Sequence, residues 1–323
     1  MKTIAIIHLG SIGDLINTSP VCIELKKKYP EAKLIYITIP ISKDVASCLP
    51  GVQEVYIYDK RRKHHGLKIF NFAFLLESKK IDMVVILNES FRSALLAFLL
   101  GAKIRIGKDF ESRGFLLTHK SPYLKEEQEL QVHASEQYMR VLKPLGLYKP
   151  DYEMGYSFPD KDKIYIDNII KESCYDNYDL IGFCPKSGQS FKDWNEDEAV
   201  KFVKYISESS NQRIIVTGRD DVKRFSQRLI NEGITDFLDL TGKTTMGQLG
   251  AVISKCKKFV SMDSAPMHLA CALKIPVLAL FFQNNYKKWG PKDLNRNKLI
   301  YTSKEIKAED IIEELKKLPE AEN

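Results

Sequence analysis

The chain has 323 residues, 44% hydrophobic and 28% charged, too long for one ordinary single-core domain and too balanced for a disordered, collagen-like or coiled-coil chain. No apolar run approaches the roughly 18–20 residues of a membrane span; the longest, Ser93–Ala102 and Ile275–Phe282, have the length of core elements. The net charge of +7 is uneven: residues 1–150 hold 23 Lys+Arg against 15 Asp+Glu and residues 151–323 hold 26 against 27, so an acidic partner is expected at the first half.

Thr3–Leu9 is a continuous apolar run, the pattern of a strand covered on both faces. It meets a Gly–Asp turn rather than a small-residue cleavage site, so it reads as a first strand and not a signal peptide. Strands are predicted next at Lys33–Pro40, Glu54–Asp59, Met83–Asn88 and Lys103–Gly107, with helices at Pro20–Lys28, Ile69–Ser78, Phe91–Leu100 and Glu126–Leu145. Ser19-Pro20 has the look of an N-cap with proline in the first turn. Tyr148–Lys163, rich in Pro, Asp and Tyr, reads as the joint between domains expected at 1–155 and 156–323. The second half repeats the alternation. Its strands are predicted at Asp179–Pro185, Arg213–Gly218, Phe237–Gly242, Lys258–Asp263 and Pro276–Phe282. Its helices are predicted at Asn195–Ser209, Asp220–Asn231, Thr244–Lys255 and Ser264–Lys274, with a closing amphipathic helix at Ala308–Leu318. This is an α/β chain of two doubly wound Rossmann-like domains facing a central cleft, where ligands are expected outside the carboxyl ends of the strands.

The chemistry-bearing residues sit at those strand ends. Gly10-Ser11-Ile12-Gly13-Asp14 follows the first strand; its glycines, Gly13 among them, allow close approach of a ligand to backbone. Asp14 either accepts a proton from a substrate hydroxyl or charges the start of the first helix. Asp263-Ser264-Ala265-Pro266-Met267-His268 has the pattern of strand, small residues, proline, then helix. That pattern suits a diphosphate, with His268 as an added donor in the first turn. Lys192, in the loop before Trp194, can neutralise a phosphate, and Trp194 reads as packing. Asp221, after the next strand, is placed to hold ribose hydroxyls or to charge a helix start. The run Lys60-Arg61-Arg62-Lys63-His64-His65, with Lys68 and then Phe70, Phe72 and Phe74, suits phosphorylated headgroups or an anionic membrane surface. No base-reading motif accompanies it, so nucleic acid is not an expected partner. Neither the six scattered cysteines nor the histidines have metal-ligand or disulfide spacing, and no metal or cofactor is implied.

Taken in order, Gly13-Asp14 with Pro20, Gly101–Gly107, the Lys192–Trp194 loop, Leu240–Thr245 and Asp263–Ala270 resemble the lipopolysaccharide heptosyltransferase family over nearly the whole chain. The resemblance implies a GT-B glycosyltransferase that moves heptose from ADP-heptose to the lipopolysaccharide inner core by an inverting, metal-independent displacement. It implies Asp14 as general base; Lys192 and the helix opening at Ser264 and Ala265 on the diphosphate, with His268; Asp263 on the sugar; and Met246 beside the base. It further implies that Gly13 and Lys60–Lys63 meet an anionic, lipid-linked acceptor, with the protein peripheral at the cytoplasmic face of the inner membrane. The last helix is expected to pack back on the N-terminal domain. Ala265, where the family usually has Gly, and Gln283-Asn284, where it usually has Gly, depart from the pattern on the donor side. The alternatives are a transferase of this fold with another nucleotide sugar, a non-catalytic sugar-nucleotide-binding module, and a nucleotide-sugar epimerase of related architecture.

Overall fold

The apolar runs become two sheets of six parallel strands in the computed structural model, which describes residues 2–59, 62–64, 66–128, 131–189 and 193–321. The chain divides into two compact units, the first ending at Tyr156 and the second beginning at Ser157. In the first unit β1 (Thr3–Ile7), β2 (Lys33–Thr38), β3 (Val52–Ile57), β4 (Met83–Ile86), β5 (Ile104–Lys108) and β6 (His119–Ser121) lie in the order β3-β2-β1-β4-β5-β6. Around them run α1 (Ile12–Ile16), α2 (Ser19–Lys28), α3 (Lys43–Ser47), α4 (Ile69–Leu75), α5 (Phe91–Leu99), α6 (Lys125–Gln128) and α7 (Ala134–Arg140).

The second unit opens with α8 (Asp160–Glu172). Its strands β7 (Asp179–Cys184), β8 (Gln212–Val216), β9 (Phe237–Asp239), β10 (Lys258–Met262), β11 (Val277–Phe281) and β12 (Lys298–Tyr301) lie in the order β12-β11-β10-β7-β8-β9. Its other helices are α9 (Glu196–Ser207), α10 (Lys223–Asn231), α11 (Met246–Ser254), α12 (Ala265–Ala272), α13 (Tyr286–Trp289) and α14 (Ala308–Lys317). Each sheet winds outward in both directions from a central pair, β1 beside β4 and β7 beside β10. Loops leaving the carboxyl ends of such a pair diverge and leave a crevice.

Helices on both faces explain why β1, β4, β10 and β11 are buried at every residue. Ile7, Ile35, Val84 and Ile86 meet Phe72, Leu76 and Leu96 in the first core. Phe183 meets Phe202 edge-on at 5.1 Å in the second. Lys258 is buried at the start of β10; its ammonium donates to Leu315 O at 2.9 Å, which ties the strand to α14.

Several expectations are corrected. The helix expected at Glu126–Leu145 is interrupted: His133 takes an extended ψ of 143° and its Nδ1 accepts from Ser135 N at 3.2 Å, starting α7 afresh. Asp160-Lys161-Asp162, read as linker, opens α8, where Pro159 ends the extended chain and the carboxylates meet the positive helix end. The cap before Pro20 is Thr18, one residue earlier than expected. The short edge strands β6 and β12 were not foreseen, being half exposed and without an apolar run. The closing helix packs within the second unit, with Ile311 and Leu315 in its core and Ala308 N–H donating to Glu198 Oε2 at 2.7 Å.

Candidate active site

At the β1/β4 crevice the chain leaves β1 through His8 and turns at Gly10 into α1. Asp14 lies in the first turn of α1, half-buried, and its Oδ2 accepts from Ser11 N at 3.0 Å and Ser11 Oγ at 2.7 Å. Oδ2 thus serves the helix start, and among the described residues Oδ1 accepts no hydrogen bond. A carboxylate so held is oriented and retains a lone pair for a substrate proton. Gly13, the next residue back, accepts Asn17 Nδ2 on its carbonyl at 2.9 Å. Gly10 is glycine because a Cβ there would lie 2.4 Å from His8 Cε1 and 3.0 Å from Asp14 Oδ2.

The surroundings of Asp14 were not singled out from sequence. His8 is buried, with Nε2 3.1 Å from Tyr138 Oη and, among the described residues, no hydrogen-bond partner for Nδ1. Burial pulls its pKa down to about 4 against the attraction of Asp14 and Glu89, so the imidazole is neutral at neutral pH. Glu89, after β4, pairs with the buried Lys108 at the end of β5 at 3.0 Å. The fully buried Arg113 donates to Lys108 O, Asn88 O and Ser90 O at 3.1, 2.8 and 3.0 Å. Tyr138 lies 130 positions from His8, and nothing local in the sequence connects them.

The β7/β10 crevice gathers most of the second set. Asp263, Ser264, Ala265 and His268 share the turn from β10 into α12. Asp263 Oδ2 accepts from Asn285 Nδ2 at 3.0 Å. Ser264 is the N-cap residue of α12, yet its hydroxyl turns down to Ser261 Oγ at 3.0 Å and does not cap its own helix. Ala265 opens the helix half-buried, and His268 is buried beside Trp289, ring centroids 6.1 Å apart. Asn285 and Trp289 were missed; they follow the Gln283-Asn284 pair already noted as unusual. Met246 starts α11 half-buried behind Thr245, which exchanges hydrogen bonds with Gln248. Asp221 is exposed and paired with Arg219 at 2.8 Å.

Lys192, Lys60 and Arg61 fall outside the described residues. Among the described neighbours of Lys192, Asp193 Oδ1 accepts from Ser187 N at 2.6 Å, and Trp194, packed in the core, donates Nε1–H to Ile306 O at 2.8 Å. Arg62 and Lys63 are exposed, in a turn stapled by Asp59 N donating to His64 Nδ1 at 2.9 Å. These two cations lie after β3, away from the β1/β4 pair in strand order. Among the described residues no group of three His, Cys, Asp or Glu is placed to hold a metal ion.

The model of glycosyltransferase family 9 (heptosyltransferase) matches residues 69–318. Lipopolysaccharide heptosyltransferase 3 of Escherichia coli is 28% identical over 289 residues, 86% of this chain and 83% of that protein. A family 9 glycosyl transferase from Veillonella parvula superposes with a TM-score of 0.83 at 22% identity, covering 98% of this chain and 90% of the other. The E. coli heptosyltransferase WaaC, solved with ADP, superposes with a TM-score of 0.80 at 19% identity over 98% and 99% of the two chains.

Proposed function

The chain belongs to glycosyltransferase family 9, the heptosyltransferases, and from that membership we propose that it moves heptose from ADP-heptose to an inner-core lipopolysaccharide acceptor by an inverting, metal-independent displacement. Family membership makes it a glycosyltransferase of lipopolysaccharide heptose transfer. The observation that carries the finer reading is Asp14: a carboxylate at the β1/β4 crevice with one oxygen fixed by Ser11 and the other open.

In this reading Asp14 Oδ1 takes the proton of the acceptor hydroxyl as its oxygen attacks the anomeric carbon. The bond from that carbon to the diphosphate oxygen breaks, and the negative charge on the leaving diphosphate is met by Lys192, by the start of α12 at Ser264 and Ala265, and by His268. Positive charge fixed where negative charge develops usually lowers the barrier of such a reaction more than any other single effect. Asp263, oriented by Asn285, takes a sugar hydroxyl, and Met246 lies against the base. Asp221 takes the ribose after exchanging Arg219; an exposed ion pair is worth about 0–1 kcal/mol, so the exchange is easy. Gly13 and the Lys60–Lys63 segment take the acceptor, an anionic lipid-linked saccharide, with the protein peripheral at the cytoplasmic face of the inner membrane and nucleic acid not a partner. No described helix is long and apolar enough to cross a membrane.

Asp14→Asn should lower turnover by about 10²–10⁴-fold while ADP binding stays within twofold. Retained turnover would remove Asp14 as the base, and lost ADP binding would make its role structural. A thermal-shift panel tests the donor, since a ligand at 100 times its Kd adds about 2.7 kcal/mol. A response to UDP- or GDP-sugars with none to ADP-heptose would transfer the reading to a same-fold enzyme with another donor, which the methyl of Ala265 at the diphosphate turn favours.

A further inference from the structure

Among the described residues every exposed phenylalanine lies between positions 70 and 115. On α4, Ile69, Phe72 and Ala73 are buried in the first core, while Phe70, Phe74 and Leu75 face outward together with Leu67 just before the helix, Leu67 and Phe74 being 81% and 77% exposed. The neighbouring α5 repeats this arrangement: Ser93, Ala94, Leu96 and Ala97 point inward, and Phe91 and Phe98 point outward. Phe115, 73% exposed, lies with its ring centroid 6.3 Å from that of Phe91. A solvent-facing helix surface is normally polar, and a contiguous apolar one marks an interaction site.

The charge beside this surface selects the partner. Among the described residues Arg62, Lys63 and Lys68, all exposed, come shortly before α4. Arg92, at the start of α5, donates to His64 O, to Gly66 O at 3.0 Å and to Tyr58 Oη, which fastens the end of the basic segment to the helix that bears Phe91 and Phe98. A second copy of the chain on a two-fold axis would set this cationic band against itself, and protein interfaces are poor in lysine. Aromatic side chains bordered by cations suit an anionic lipid surface, where rings enter the boundary between headgroups and acyl chains and ammonium groups meet phosphates.

We propose that the outward faces of α4 and α5, with Phe115, seat the chain on an anionic bilayer, Phe70 and Phe74 entering it and Arg62, Lys63 and Lys68 pairing with lipid phosphates. This deepens the membrane part of the function proposed above, rests on that part alone, and names the surface that makes the contact.

The test uses the full chain and vesicles that contain no saccharide, so it does not depend on the transferase chemistry. Sedimentation with phosphatidylglycerol–phosphatidylethanolamine vesicles should give binding at least tenfold tighter than with phosphatidylcholine. The double variant Phe70→Ser/Phe74→Ser should lose at least tenfold of it. Ile230→Ser, which removes an exposed apolar side chain from the second unit, should lose none. Phe74→Trp should shift its emission to the blue on addition of anionic vesicles. Equal binding to both lipids, a double variant that binds like the parent, or an unmoved Trp emission each overturns the proposal. So does a dimer in gel filtration that the double variant dissolves. The double variant should keep its melting temperature and its turnover on a water-soluble acceptor fragment, which separates loss of the surface from loss of the fold. If the parent binds vesicles but transfers no heptose, the transferase reading fails and the surface stands.

Discussion

His8 carries a consequence for stability that its place beside Asp14 makes specific. Its pKa of about 4 in the folded chain lies below the ordinary 6.5 because burial disfavours the cation. The unfolded chain therefore binds a proton at His8 below pH 6.5 that the native chain refuses down to about pH 4, and stability falls as the pH drops through that window. Between pH 7.5 and pH 5 the loss from this residue is about 2 kcal/mol. His8→Met should flatten the dependence of the urea midpoint over that range. An unchanged slope would show that His8 does not carry it. Asp14 and the Asp263–His268 turn were legible in sequence because each adjoins the end of an apolar run. Some of their surroundings come from far along the chain: Tyr138 reaches His8, near Asp14, from α7, and Asn285 reaches Asp263 across 22 positions.

The elements differ in how openly the sequence displays them. Strands covered on both faces betray themselves as unbroken apolar runs, and β1, β4, β10 and β11 were placed to within one or two residues. The edge strands β6 and β12 and the α6–α7 break were hidden, since β6 has three residues and the break depends on the His133 side chain taking the Ser135 amide, which periodicity does not register. On the donor reading proposed above, Trp194 is an element that acts on the site at a distance. Its indole joins the loop before α9 to the segment before α14 through Ile306 O, and Trp194→Phe removes a buried hydrogen bond worth about 1 kcal/mol. Donor Kd should rise about threefold to tenfold while Asp14-dependent chemistry in the first unit is untouched, an outcome read by comparing KM with kcat. An unchanged donor Kd would mean that the loop is held without the indole.

Over the whole molecule, two cores and two unlike charge balances sit in one chain. Because the residues assigned to the nucleotide all belong to the second unit, ADP should raise the melting of that unit and leave the first where it was. Calorimetry with and without ADP, compared with limited proteolysis of each half, checks this; an equal rise in both would show that the units melt as one. The two sheets have the same plan when strands are counted from the start of each unit, with the first strand beside the fourth at the centre. Every ladder bond of that plan is satisfied within its own sheet, so the crest of loops above it is free to vary without disturbing the frame below. A change of specificity can then be written into a few turns, and the loops of either half can be retuned while the other half keeps its frame.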